Sequence, residues 1–172
     1  MTILHIFTTL ILCTICARAA ADGIRPDATL ELIAPDETLL ARIQVEIADT
    51  AETRARGLMY RLLPDDESGM LFIYPNAAPR AFWMRNTPGS LDMLFADARR
   101  RIVHIARETT PLSDQTYPSI NAAMYVLETR AGFAARHGIT LSTRFYYYPS
   151  PFRYHRGTRG ATPAHTPKEQ SR

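Results

Sequence analysis

The sequence predicts a mainly β domain of the β-rich α+β kind, a single antiparallel β-sandwich or barrel with two short helices. Two observations favour this class. Short apolar segments with a period of two follow one another along the chain, and short turns, not helical crossovers, separate them. The length of 172 residues and the hydrophobic content of 46% also fit one globular domain with its own core.

The first half of the domain predicts two strands, at residues 30–34 and 39–48, and then a helix beginning at Asp49. The second strand alternates, because Leu39, Ala41, Ile43, Val45 and Ile47 share one face. Asp49 and Glu52 have the spacing of a capping box, and Gly57 is suited to end the helix.

Residues 69–97 are the densest apolar stretch after the N-terminal segment, and they contain the single tryptophan. Alternation predicts strands at 70–74, 82–85 and 91–97. Later strands are predicted at 102–107, 124–129 and 141–148, with a long loop at 109–123 and a short helix at 131–137.

The two ends of the chain differ from the domain between them. Residues 1–21 have the apolar run and small residues of a signal peptide cleaved after Ala19 or Ala21, which predicts a periplasmic or secreted protein. An uncleaved anchor is the alternative, but the run is shorter than the roughly 20 residues that cross a bilayer. Residues 22–148 then form the domain, and residues 149–172 are predicted to be a disordered basic tail.

Signatures of catalysis and of cofactor binding are scarce. Both cysteines, Cys13 and Cys16, lie in the leader, so the mature domain has no thiol nucleophile or disulfide. The histidines lack metal-ligand spacing, and His104 is expected to be structural or at the surface. We therefore expect no cofactor and no metal, and the net charge of +3 gives no reason to expect a nucleic-acid partner.

Polar residues set among apolar strands are the candidate site. Asn86 and Thr87 follow Trp83, while Asp92 and Glu128 lie on strands whose other residues are apolar. An unpaired acid on such a face is costly. One interpretation is a ligand-binding cleft in which these groups surround the tryptophan, as would suit a sugar or another small polar ligand.

The other interpretation is structural. Asp92 and Glu128 would then be paired with Arg54, Arg61 or backbone amides as locks within the fold. The two acids could also be a glycosidase pair, although the sequence does not fix their separation.

Five segments in order carry a resemblance to a known family: TRARGLMYR (53–61), GMLF (69–72), FWMRNT (82–87), LDMLF (91–95) and YVLE (125–128), the last followed by Ala131 and Gly132. The chain resembles the domain of unknown function 192 (DUF192) family over residues 41–145. The resemblance implies a small, mainly β, exported domain without an established biochemical role, and it supplies no catalytic residues.

The functional hypothesis is a non-enzymatic binding module of the cell envelope, with a small polar ligand or an envelope component as its partner. A glycosidase-like hydrolase using Asp92 and Glu128 is one alternative, and a purely structural envelope protein is the other. No membrane span is expected after removal of the leader, and the sequence leaves the oligomeric state open.

Overall fold

The computed structural model describes residues 26–150, which form a seven-stranded sheet, a two-stranded ribbon and two short helices. The strands are β1 (Ala28–Ile33), β2 (Leu39–Ala48), β3 (Ser68–Ala78), β4 (Ala81–Phe82), β5 (Leu91–Ala96), β6 (Ile102–Ala106), β7 (Tyr117–Pro118), β8 (Ala123–Arg130) and β9 (Arg144–Pro149). The helices are α1 (Ala51–Arg56) and α2 (Phe133–Arg136). The predicted β-rich class is therefore confirmed. The predicted signal peptide and the predicted tail beyond Ser150 lie outside the described residues.

The large sheet has the strand order β6-β5-β8-β3-β2-β1-β9 and curls until its two edges meet. Arg101, just before β6, forms an isolated antiparallel bridge with Arg144 at the start of β9. The amide of Phe145 also donates to the carbonyl of Arg100 at 3.1 Å. We call this junction the seam. It pairs backbone groups that an open sheet edge would leave unpaired.

Both faces of the central strands are buried, and each face contributes to a different hydrophobic core. The inner core takes residues from all seven strands and from α2, including Leu94, Leu127 and Phe133. The outer core lies on the other face of β3, β5 and β8, and it includes Phe72 and Met93. This double burial explains why Leu91–Ala96 is buried at every position.

One connection differs from the sequence prediction. β2 and β3 pair in parallel, with Val45 opposite Gly69, and α1 lies in the crossover between them. Parallel neighbours need such a crossover. The prediction that short turns join all consecutive strands is therefore wrong at this point, while the other pairs of the large sheet are antiparallel.

The start of α1 also differs from its prediction. The capping residue is Thr50, whose hydroxyl accepts a hydrogen bond from the amide of Thr53 at 3.1 Å. The side chain of Thr53 in turn accepts from the amide of Thr50, so the capping box joins two threonines instead of Asp49 and Glu52. Both pairs are spaced suitably in the sequence, and only the backbone conformation at Thr50 selects between them.

Several strand boundaries differ from their predictions, among them those of the strands predicted at 82–85 and 141–148. The strand predicted at 82–85 is reduced to Ala81–Phe82, which pairs with Tyr117–Pro118 inside the predicted long loop. The last strand runs to Pro149, which pairs with Ala28, and the amide of Ser150 donates to the carbonyl of Asp27 at 2.7 Å. The sheet thus continues into the first residues of the predicted tail.

Candidate functional site

Asp92 is fully buried and accepts backbone hydrogen bonds from two directions. One carboxylate oxygen accepts from the amides of Glu108 at 2.9 Å and Gly132 at 3.2 Å, and the other accepts from the amide of Ala134 at 2.9 Å. Gly132 and Ala134 belong to the first turn of α2, where amides have no partner within the helix. Asp92 therefore fastens α2 to β5 through the charge-assisted bonds that a helix start offers.

Glu128 is also buried, at 4% exposure, but in a different environment. It faces the outer core, directly between Met70 of β3 and Met93 of β5. Within residues 26–150 its carboxyl group forms no hydrogen bond or ion pair. Burial raises its pKa to about 8. At neutral pH the side chain is therefore mostly a neutral acid.

The strand register places these two acids on opposite faces of the sheet. Met93 pairs with Glu128, and Asp92 pairs with Thr129. Paired residues share a face and successive residues alternate, so Asp92 points to the inner core and Glu128 to the outer core. Two carboxyl groups separated by a sheet cannot flank one glycosidic bond, so the geometry gives no support to the glycosidase pair.

The two arginines proposed as locks bind elsewhere. Arg54 donates to the carbonyl oxygens of Asp49 at 2.5 Å and Ile73 at 2.9 Å, and its guanidinium lies 5.0 Å from the ring centre of Tyr74. Arg61 forms a bidentate ion pair with Glu46, at 2.8 and 2.7 Å. Both arginines thus fasten the segment around α1 to the sheet. The partners of Asp92 are backbone amides of α2 and Glu108, and not the arginines that were expected there.

Trp83 is half exposed at the surface, directly after the end of β4. Its neighbours Phe82 and Met84 point into the outer core, where Phe82 packs edge-on against Phe72 at 5.0 Å. Trp83 and Arg85 therefore point outward together, and the guanidinium of Arg85 lies 4.3 Å from the tryptophan ring centre. Arg85 also pairs with the exposed Asp114 at 2.7 Å.

Asn86 and Thr87 hold loops together. Asn86 is half-buried, has a left-handed backbone with φ of 57°, and accepts from the amide of Tyr60 at 2.7 Å through its carbonyl. Thr87 is buried, and its carbonyl accepts from the amide of Leu112 at 3.0 Å. The structure thus leaves Trp83 exposed and Asn86 half-buried, and it buries Thr87, Asp92 and Glu128. The five predicted residues do not line one open cleft.

Sequence reasoning missed the residues that accompany Trp83. Three loops are involved, and the central loop 83–90 is hydrogen-bonded to both of the others, 57–67 and 107–116, through the bonds just described. They carry four large apolar side chains with high exposure: Tyr60 77%, Leu62 63%, Leu112 68% and Trp83 48%. We call these side chains and their loops the three-loop surface. Nothing in the sequence marks Leu62 or Leu112 as exposed, because an isolated apolar residue in a loop is equally suited to a core.

Two of these residues also have an unusual backbone. Tyr60 and Leu112 have positive φ angles of 62° and 53°, a conformation that costs non-glycine residues roughly 1–2 kcal/mol. A large apolar side chain gains little by being exposed there. Strained conformations of this kind are concentrated at binding and active sites.

Other kinds of site find no support in the part of the chain from residue 26 to residue 150. No group of three or more potential metal ligands occurs among these residues. His104 is stacked on Phe95 at 5.6 Å, and burial lowers its pKa. None of the helices in this part of the chain has the length and apolar character to span a membrane.

Comparisons with known proteins give a family and two structural relatives. Residues 32–146 match the family model DUF192, described as an uncharacterized ACR. A solved protein from Sinorhizobium meliloti, described as a candidate transcription regulator, is 32% identical and has a TM-score of 0.67, with 71% of this chain and 95% of that one covered. A protein of unknown function from Novosphingobium aromaticivorans is also 32% identical, with a TM-score of 0.63 and coverage of 69% and 83%.

No curated protein matches the sequence. The family match spans most of the chain and contains every strand from β2 to β8, so it covers the sheet on which the site residues lie. The chain belongs to the DUF192 family.

Proposed function

We propose that this protein is a non-enzymatic binding domain and that the three-loop surface is its recognition site. The observation that carries the proposal is the exposure of Tyr60, Leu62, Leu112 and Trp83 on loops that are hydrogen-bonded to one another. Exposed apolar side chains grouped in this way are typical of interaction sites. The strained backbone at Tyr60 and Leu112 adds a cost that a purely structural surface would not need.

The ligand class that fits this surface best is a saccharide. A sugar has an apolar C–H face and a rim of hydroxyl groups. Trp83 provides a flat apolar surface for the first, while Arg85 and Asp114 provide a hydrogen-bond donor and an acceptor for the second. The Arg85–Asp114 ion pair also holds the guanidinium beside the ring before a ligand arrives, which lowers the cost of ordering on binding.

The experiment is a titration of the full-length protein with soluble oligosaccharides. Trp83 is the only tryptophan in the chain, so its fluorescence reports on this surface alone. We expect a saturable change with at least one neutral or amino-sugar oligosaccharide. Calorimetry should then show an affinity about tenfold or more lower for Trp83→Ala, the loss expected when a stacking aromatic side chain is removed.

Tyr148→Ala is the matched control, because Tyr148 is a similarly exposed aromatic residue, at 52%, on β9. Its affinity should equal that of the wild type. If no saccharide binds, or if Tyr148→Ala weakens binding as much as Trp83→Ala does, the proposal is wrong and a structural role is favoured.

We also propose that the domain acts outside the cytoplasm, in the periplasm or as a secreted protein. The support is the apolar segment at residues 2–16, which is followed by small residues and contains both cysteines. N-terminal sequencing of the protein from fractionated cells should give a start at Ala20 or Asp22. A soluble cytoplasmic protein beginning at Met1 would contradict this localisation.

A further inference from the structure

A second feature lies at the seam, apart from the three-loop surface. A cavity of about 160 Å³ opens there, between the turn that joins β1 to β2 and the paired segments around Arg101 and Arg144. Its lining includes both of these arginines, Tyr146 and Glu37. The volume is many times the roughly 10–15 Å³ that one water molecule requires, so a small molecule's charged group fits in it.

The charges around this cavity are unfavourably placed for the protein alone. Arg101 and Arg144 stand directly opposite each other in the antiparallel bridge, and like charges in that arrangement destabilise a sheet. Within residues 26–150 the side chain of Arg144 forms no hydrogen bond or ion pair. The one acid that the Arg101 side chain reaches in this same part of the chain is Asp97, at the long distance of 3.4 Å.

The neighbouring hairpin adds further positive charge at a position that favours glycine. Arg100 has a φ of 62° in the turn between β5 and β6, and its guanidinium lies 5.3 Å from the ring centre of Tyr146, which lines the cavity. Glycine would adopt this backbone conformation without strain. The arginine side chain therefore occupies this position despite a local cost to the fold.

We propose that the cavity binds the phosphate group of a small molecule, with Arg101 and Arg144 as its principal ligands. Arg101 and Arg144 line the cavity and face each other across the bridge, so that together they offer two positive charges to one ligand. The acids of the neighbouring turns are Asp97, Asp36 and Glu37. Glu31, opposite Tyr146, is paired with Arg42. A phosphate monoester carries close to two negative charges at pH 7, whereas a carboxylate carries one. Guanidinium groups also match phosphate oxygens geometrically, with two parallel bonds from each.

The test is calorimetry on the full-length protein at low ionic strength, with inorganic phosphate and phenyl phosphate as probes. We expect saturable binding with one site. Arg144→Gln and Arg101→Gln should each weaken it about tenfold or more, because each removes a charge-assisted hydrogen bond. Binding should also weaken below about pH 6, where phosphate takes up its second proton.

Two further variants distinguish binding in this cavity from a general attraction of phosphate to positive charge. Arg56→Gln removes the same charge from an exposed position on α1 and should leave the affinity unchanged. Glu37→Gln removes a negative charge from the cavity rim and should strengthen binding about two- to threefold. A gain of affinity in Glu37→Gln cannot result from misfolding, and near-ultraviolet circular dichroism checks the fold of the arginine variants.

Several results would overturn the proposal. They are the absence of phosphate binding, equal weakening by Arg56→Gln and Arg144→Gln, and acetate binding as tight as phosphate. Binding to anionic phospholipid vesicles or duplex DNA without binding to the two small probes would also overturn it. That result would assign the arginines to an extended surface and not to this cavity.

Discussion

Asp92 and Glu128 lie on neighbouring strands, are both buried, and occupy opposite environments. Asp92 faces the inner core and accepts three backbone amides, two of them from the start of α2. Glu128 faces the outer core between two methionines, and burial raises its pKa to about 8. A shift of one residue along a strand moves a side chain to the other face of the sheet. The strand register therefore decides that Asp92 meets backbone amides, whereas Glu128 is buried without hydrogen bonds from the described residues.

An acid can thus be buried in two ways, and the two have opposite effects on stability. A carboxylate surrounded by amides adds to stability and fixes the position of a helix. A carboxyl group among methionines remains in the fold by staying protonated, and it becomes costly when it loses its proton. Neither environment is an open cleft, which is why the proposed recognition site lies at Trp83 and its loops.

The largest expected effect is that of Asp92→Ala. The substitution leaves the amides of Glu108, Gly132 and Ala134 without their acceptor, so the free energy of unfolding should fall by about 2–4 kcal/mol. Urea denaturation at pH 7 measures it. Asp114→Ala, at an acid whose side chain is 70% exposed, is the control and should change stability by less than about 0.5 kcal/mol. A similarly small loss for Asp92→Ala would refute the structural role.

The second effect is a dependence of stability on pH that originates at Glu128. Its pKa in the folded protein, about 8, lies above its ordinary value of 4.5, so between these values the folded state holds one more proton than the unfolded state. The stability that Glu128 contributes is complete below about pH 4.5 and is lost as the pH rises through about 8. The loss is about 1.4 kcal/mol per pH unit, or roughly 2–3 kcal/mol from pH 5 to pH 7.

Glu128→Gln isolates this contribution because glutamine does not titrate. The difference in unfolding free energy between variant and wild type should move in favour of the variant as the pH rises from 5 to 8. Thermal or urea denaturation at several pH values gives this difference, and other titrating groups cancel in it. A difference that stays constant with pH would show that Glu128 is charged in the folded protein.

The third effect concerns the glycine that brings α2 to Asp92. Gly132 has a φ of 79°, and a Cβ atom there would lie 2.5 Å from a guanidinium nitrogen of Arg136, whose flexible side chain would have to shift. Gly138 has a φ of 63° with open space around its Cβ position, so Gly138→Ala measures the backbone strain alone, about 1–2 kcal/mol. Gly132→Ala should cost somewhat more than this, because the guanidinium of Arg136 must also move from its bond to the carbonyl of Ala131. Equal losses in the two variants would show that Arg136 moves aside without cost.

The sequence was sufficient to predict the strands in which apolar and polar residues alternate regularly. The strand at Leu39–Ala48 has the predicted bounds, and Ala41, Ile43, Val45 and Ile47 are buried on one face as alternation requires. Such alternation can be read from neighbouring residues alone, because a strand with one buried face requires an apolar residue at every second position. The parallel pairing of β2 with β3 could not be predicted in this way, because a six-residue helix can lie either in a hairpin connection or in a crossover.

The candidate site was less predictable because its residues meet through long-range contacts. The burial of Asp92 followed from its apolar neighbours, but its partners lie 16 to 42 residues away and are backbone amides, which every residue carries. Arg61 has an acid from β2, Glu46, as its ion-pair partner. The exposure of Tyr60 and Leu112 depends on left-handed backbone conformations, which aromatic and aliphatic residues do not signal.

The most direct measurement of the difference between the two acids is the titration of the Glu128 carboxyl carbon by nuclear magnetic resonance. The folded protein is observed from pH 4 to pH 9, and the Glu128→Gln variant assigns the signal. We expect a midpoint near pH 8, because burial between Met70 and Met93 disfavours the charged form. A midpoint near the ordinary value of 4.5 would show that the outer core accepts a charged glutamate, and the two acids would then not differ in the way described.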